Sequence, residues 1–395
     1  MKIHPLVVKA NGIFTPGYPV HQKDFFSGRE DQLQRTLEAL IAPGRHPIIF
    51  GQRGVGKTSL ANILGESLTG VSVVKVSCDG GDTFATVWNR VLATASITFK
   101  QHAFGFQDTE AQKTIALGTL LGHDPSTTKP AEIAGLLAKV NQYCAVVLDE
   151  FDKISDTNAK AQFADLIKIV SDTVPNMTIV VVGVADNIHE LIGQHPSIDR
   201  NLLQIELPLM SDVDIREIFA NGLLKLSLTV DDSVADQVPL LASGFPHYAH
   251  LLGFAAVKAS VNNNTNHVDV AVFDMACTLA VQDSIEKYRD AFSKATATTQ
   301  PSRYPIILSA CGYADCDTRG VFRATDVVDA IAEVFNDRVT VQAVVPALGE
   351  FTNARRAATL KAVSVAGRKC YRFSDPMMVP FCRLKARELL QALGN

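Results

Sequence analysis

Apolar positions along the chain follow two regimes. Between about Phe25 and Leu207, short β-branched runs alternate with segments of helical periodicity, as in a parallel sheet flanked by helices. The runs Pro47–Gly51, Val71–Ser77, Cys144–Glu150, Thr178–Val184 and Leu202–Leu207 predict five strands. Four of them are apolar almost throughout, as strands covered on both faces should be. Ahead of the first, Ser27 followed three residues later by Glu30 predicts a capping box, and Leu33, Leu37, Leu40 and Ile41 share a helical face. From Pro208 to about Ser293 the pattern is helical: Ser211 caps a segment that aligns Ile215, Ile218 and Phe219, and Asn262–His267 marks a loop. The low-complexity stretch ATATTQPS, beginning at Ala295, reads as a linker. Beyond it, helical segments precede two short strand-like runs around Ala366-Gly367-Arg368-Lys369, the order expected of a winged helix. The expected organisation is therefore a lead-in (1–24), an α/β domain (25–207), a helical domain (208–294) and a winged-helix-like domain (295–395). No internal repeat is visible.

Composition narrows the classes. The 395 residues are 47% hydrophobic and 20% charged, which fits a folded globular chain rather than a disordered one. A net charge of −4 offers nucleic acid no global attraction, so any such contact requires a local patch. The N-terminal stretch MKIHPLVVKANG lacks a cationic segment followed by a long apolar run, and the longest apolar stretches are strand-length. These features predict a cytoplasmic protein without a membrane span. Seven cysteines occur without CxxC spacing and without histidines at finger-like distance, which predicts reduced thiols rather than a zinc site or a disulfide framework.

The chemistry concentrates in Gly51-Gln-Arg-Gly-Val-Gly56-Lys57-Thr58, which satisfies GxxxxGK[ST]. A predicted strand precedes it, and Leu60, Ile63, Leu64 and Leu68 form one face of a predicted helix after it, the context a phosphate loop requires. Gly51, Gly54 and Gly56 let the backbone curl so that amides through Val55 and Ser59 face phosphate, and the helix N-terminus adds partial positive charge. Lys57 is expected on the β- and γ-phosphates and Thr58 on Mg²⁺. The strand ending in Asp149-Glu150 supplies the complement, with Asp149 as a metal carboxylate and Glu150 as the base that polarises water. Asp152 stands between a structural and a metal-shell role. Asp186 or Asn187, at the end of the fourth strand, is expected to orient the water or to close a turn. Arg200, before the last strand, is either a surface residue or a finger reaching a neighbouring subunit's phosphate.

On these motifs the chain resembles the AAA+ ATPases, nearest the branch containing Orc/Cdc6-type initiators and STAND ATPases. The likeness covers Phe14 to about Leu252, and more weakly the C-terminal winged helix. FFSGREDQL is similar to the segment that lies against adenine in that branch, which implies Gly28 and Arg29 as adenine-side residues. GQRGVGKT matches Walker A, VVLDEFD matches Walker B, Asp186 takes the sensor 1 place and Arg200 that of the arginine finger. In the lid, SGFPHYAHLL has His247 where the family's sensor 2 arginine is expected, while Gly244-Phe245-Pro246 is similar to the GxP motif of STAND proteins, which implies Pro246 and His247 beside the nucleotide. This departure implies a slow switch rather than fast hydrolysis.

No acidic residue lies between Glu350 and Asp375, whereas Arg355, Arg356, Lys361, Arg368, Lys369 and Arg372 all do. A basic wing suits phosphate contacts on double-stranded DNA, while Pro346 in the preceding helix argues against base readout there, and winged helices also dock proteins. The expected function is an ATP- and Mg²⁺-dependent ATPase switch that forms homo-oligomers or hetero-complexes. The alternatives are a DNA-binding initiator with structural ATP and an ATPase subunit of a multi-protein defence module.

Overall fold

The computed structural model describes residues 3–19, 28–102, 110–122, 124, 129–185, 188–192 and 198–394. The chain forms two compact units, one of Pro19–Gln52 and Gly56–Pro208, the other of Met1–Tyr18, Arg53–Val55 and Leu209–Asn395.

Among the described residues the first unit carries seven strands: β1 (His46–Gly51), β2 (Val71–Ser77), β3 (Ser96–His102), β4 (Glu110–Ala116), β5 (Tyr143–Asp149), β6 (Met177–Val184) and β7 (Leu202–Glu206). Five of them make a parallel sheet in the order β2-β5-β6-β1-β7. All five are the strands expected from sequence, displaced at their ends by a single residue at most. The hairpin β3–β4, paired from Ser96↔Ala116 to His102↔Glu110, is an addition to that expectation. The sheet is apolar because helices cover both faces. Ile48, Val146, Leu148, Ile179 and Val181 pack with Trp88 and Phe163, and Phe163 makes edge contacts at 5.0 Å with Phe84 and 5.1 Å with Phe151. Each such fully buried large side chain stabilises by about 1.5–3 kcal/mol relative to exposure. The connection after β1 runs to one side of the sheet and that after β6 to the other, so the crevice where open α/β sheets bind ligands lies at the carboxyl ends of β1 and β6.

Two local expectations are corrected. The first long helix begins at Glu30 with Arg29 at its N-cap, and no side chain caps it. Glu30 therefore opens the helix and instead accepts the Gly28 amide at 3.3 Å, while Ser27 lies outside the described residues. Leu33 and Leu40 are buried as expected, but Ile41 is exposed, because the buried stripe drifts to Thr36 and Ala39.

The second unit is mainly helical. Ser211 caps the helix Asp212–Lys225 by accepting the Asp214 amide, and Ile215 and Phe219 are buried. Helices Pro246–Asn262 and Val270–Asp283 follow, separated by a loop that carries β9 (His267–Val268), which pairs in parallel with β8 (Thr229–Val230). Phe14 packs against two glycines in this layer: a Cβ added at Gly222 would lie 2.3 Å from its ring, and one at Gly253 2.2 Å. Further on, helices Glu286–Thr296, Tyr304–Ala310, Ala324–Phe335 and Val341–Phe351 lead to the antiparallel pair β10 (Leu360–Val365) and β11 (Arg368–Phe373), then to the helix Met378–Leu393. This is the expected helix-and-hairpin order of a winged helix. The hairpin turns on Ala366 and Gly367, both at positive φ (49° and 75°), as a two-residue loop matched to strand twist requires. Six of the seven cysteines are buried thiols, and Cys316 is exposed.

Candidate functional site

Gly51 ends β1 and the helix Lys57–Ser67 begins shortly beyond it, so the glycine-rich segment is the strand–loop–helix turn that its spacing predicts. Gly51 has φ 146°, and a Cβ there would stand 2.4 Å from the Leu207 carbonyl oxygen, which excludes any other residue. Gly56, at φ 98°, is the left-handed N-cap of the helix, and Gly54 is at φ 86°. The Val55 side chain is buried. The Lys57 side chain is buried too, and its ammonium donates to the carbonyls of Gly51 at 2.9 Å and Gln52 at 2.7 Å. A cation held by carbonyl oxygens at a helix N-terminus is ready to exchange them for phosphate oxygens.

The carboxylate complement comes from β5. Asp149 is buried, and its Oδ1 accepts the Thr58 hydroxyl at 3.4 Å and the Glu150 amide at 2.9 Å. Two hard oxygen donors on separate elements thus meet beside the loop, the donor type Mg²⁺ selects. Glu150 stands at φ 56°, an uncommon conformation for a non-glycine residue, and its Oε2 accepts from Lys153 Nζ at 2.7 Å. Asp152 has a structural role: its Oδ1 accepts the Val184 amide at 2.8 Å, tying the turn after β5 to the end of β6. A side chain at Gly183 would displace it, since a Cβ there would lie 3.0 Å from the same oxygen. Cys78, whose amide donates to the Asp149 carbonyl at 2.8 Å, has its thiol pushed up to about 12, chiefly by burial and also by nearby Asp82.

The remaining expected residues divide. Gly28 turns at φ 75°, and Arg29 is buried with its guanidinium donating to the Pro208 carbonyl. Asp186 and Asn187 lie outside the described residues. Arg200 precedes β7, whose first residue pairs with His46, so it sits at the strand-start edge of the sheet. From there to Gly51 is roughly 16 Å along the strand at about 3.3 Å per residue. Its exposed guanidinium lies 3.6 Å from Asp172. In the helical unit, Pro246 opens its helix after Gly244 at φ 76°, and the His247 ring packs edge-on against Tyr248 at 5.1 Å. Burial holds the His247 imidazole below its ordinary value, opposed by a hydrogen bond with the Pro16 backbone.

On the wing, Lys361, Arg368 and Lys369 are exposed on β10–β11, and Arg355 is exposed before it. Arg356 departs from the expectation. It donates to Glu350 at 3.1 Å and to the carbonyls of Ala295 (2.9 Å) and Ala297 (2.8 Å), and lies over the Tyr304 ring, so its role is internal.

Sequence reasoning missed Lys75 and Lys153. Lys75, in the interior of β2, places its ammonium 2.9 Å from Asp149 Oδ2. The signal was present: a lysine inside the otherwise apolar or small-residue run VSVVKVS requires a buried partner.

The sequence profile of the family described as Novel STAND NTPase 1 matches residues 17–352. Among solved structures, a Walker-type ATPase of Pyrococcus abyssi matches at 15% identity with a TM-score of 0.54, over 93% of this chain and 99% of that one. The ORC2 protein of Aeropyrum pernix, solved in ADPNP and ADP complexes, matches at 16% identity with a TM-score of 0.49, over 97% of this chain and 98% of that one. No curated protein matches the chain.

Proposed function

Because the chain belongs to the novel STAND NTPase 1 family, we propose that it binds ATP with Mg²⁺ at Gly51–Ser59 and acts as a slow ATPase switch. Its nucleotide state would control assembly with further copies of the chain or with a protein partner in the cytoplasm. The observation that carries this reading is the meeting of the Thr58 hydroxyl with the buried Asp149 carboxylate at the start of the Lys57 helix. In this reading Lys57 moves from the Gly51 and Gln52 carbonyls to the β- and γ-phosphates, adding positive charge where charge builds during transfer. Thr58 and Asp149 would hold Mg²⁺, which when bound neutralises phosphate charge. Glu150 accepts the proton of the attacking water once it leaves Lys153. Asp186 serves as sensor 1. The Arg29 side chain is committed to the Pro208 carbonyl, so adenine contact falls to the Gly28–Arg29 backbone. Arg200, exposed beside Asp172, serves a neighbouring subunit's phosphate rather than its own. Pro246 and His247 belong to the nucleotide-sensing lid in the same reading.

Light scattering tests the switch. With Mg-ATP the Glu150→Gln variant should hold a larger particle that the parent protein forms only transiently. An equal mass for both, with and without ATP, contradicts it.

A second reading rests on the exposed Lys361, Arg368 and Lys369 of the β10–β11 hairpin together with Arg355. They suit sequence-independent contact with the phosphates of duplex DNA, with ATP as a structural cofactor. Among the described residues no helix is long and apolar enough to cross a membrane.

A further inference from the structure

Lys75 occupies the middle of β2, in register with Val147 of β5 and flanked by Val74 and Val76. A lysine seldom occupies such a position without a partner, because removing an ammonium from water needs compensation. Here the compensation is specific. Its Nζ donates to Asn62 Oδ1 on the phosphate-loop helix at 2.5 Å and stands 2.9 Å from Asp149 Oδ2. The Lys75 side chain is 26% exposed and that of Asp149 only 3%. The other carboxylate oxygen, Oδ1, receives the Thr58 hydroxyl and the Glu150 amide. Asp149 therefore has one oxygen committed to the prospective metal side of the loop and the other to a fixed cation from the neighbouring strand.

We propose that Lys75 is a built-in counter-charge to Asp149 that competes with Mg²⁺ for this carboxylate and so sets how much metal nucleotide binding requires. The inference rests on reading the loop as a Mg-nucleotide site. Its physical basis is electrostatic. A carboxylate this buried demands a positive partner whether or not a metal is present, and Lys75 meets that demand from within the fold. The same ammonium weakens the field that Asp149 can offer a divalent ion. Removing it should leave a more negative site, which binds Mg²⁺ more tightly but is harder to keep folded without it. Asn62 holds the lysine in place as a positioning residue.

Two measurements test this. Binding of a fluorescent ATP analogue is followed across a Mg²⁺ titration for the parent protein, Lys75→Met and Lys75→Arg. The half-saturating Mg²⁺ concentration should fall about tenfold or more in Lys75→Met, the scale expected of a unit charge a few ångströms away, and stay nearer the parent value in Lys75→Arg. Thermal unfolding without nucleotide supplies the second readout. Lys75→Met should lower the melting temperature in the parent background but not in an Asp149→Asn background, where no carboxylate is left that needs the counter-charge. Should Lys75→Met alone not fold, recovery of a folded protein in the double variant supports the same coupling. An unchanged Mg²⁺ midpoint, or an equal loss of stability in both backgrounds, overturns the inference. Absence of binding by the parent protein at every Mg²⁺ concentration overturns the nucleotide reading itself. That result differs from an unchanged midpoint, in which binding is intact.

Discussion

Glu150 Oε2 and Lys153 Nζ lie 2.7 Å apart, an ion pair across the turn after β5 with both side chains nearly half exposed. Glu150 has a left-handed backbone where β5 ends, and Lys153, three residues on in the short helix that follows, meets its carboxylate. The pair holds the expected base in a resting contact that a water-activating role must break. An exposed pair of this kind is worth about 0.2–1 kcal/mol, so Lys153→Ala should raise ATP turnover by up to about fivefold with little change in stability. Initial rates at saturating Mg-ATP check this, and a slower variant would place Lys153 in the machinery instead.

Phe14 and Gly253 provide a stability test in the helical unit. A methyl at Gly253 would enter the Phe14 ring, so Gly253→Ala should destabilise by about 1–3 kcal/mol. Phe14→Ala alone should cost about 3–5 kcal/mol, but in that background Gly253→Ala should be nearly neutral. Urea unfolding of the four proteins reads the coupling.

Two buried imidazoles predict acid sensitivity. Burial lowers His46, whose Nδ1 accepts the Ile179 amide at 2.9 Å, to about 4, and lowers His250 to about 4, with nearby His247 adding to the effect. Both are neutral in the fold and gain protons on unfolding below their ordinary value of about 6.5. The stability they lend is complete above that value and is lost as pH falls from about 6.5 toward 4, by up to about 3 kcal/mol for each group. Denaturation curves across this window should flatten in His250→Asn. An unaltered pH slope would mean that His250 is not protonated on unfolding.

The wing separates two kinds of arginine. Arg368→Glu with Lys369→Glu should weaken binding to duplex DNA and make its salt dependence shallower, because both side chains are exposed on β11. Arg356→Ala should leave the salt slope alone and lower the melting temperature, because its guanidinium joins Glu350 to the Ala295 and Ala297 carbonyls. Fluorescence anisotropy over a salt series distinguishes them, and identical curves for the charge-reversed and parent proteins would exclude duplex DNA as the ligand of the wing.

Much of the fold and site is legible in sequence, for physical reasons. Runs such as Met177–Val184 are apolar on both faces, which only a doubly covered parallel strand tolerates, so the five sheet strands stand out. The loop is legible because Gly51 and Gly56 occupy conformations that a side chain would disallow, which forces glycine into a fixed spacing. The hairpin β3–β4 is not legible, since SITFKQH and EAQKTIA carry weak alternation and acquire meaning only by pairing with each other. Lys75 escapes notice because its partner Asp149 is distant in sequence and becomes adjacent only through the β2–β5 register. Arg356 misleads because charge counting along a segment cannot tell a presented guanidinium from one turned inward onto carbonyls.

In the proposed site Lys57, Thr58 and Asp149 together grip the phosphates of ATP with Mg²⁺. Isothermal titration of Mg-ATP into the parent protein and into Lys57→Ala tests it most directly. Saturable one-site binding by the parent, lost in Lys57→Ala while the melting temperature of the ligand-free protein stays within a few degrees, is the predicted result. No heat of binding in the parent, or equal affinity in both proteins, would contradict it.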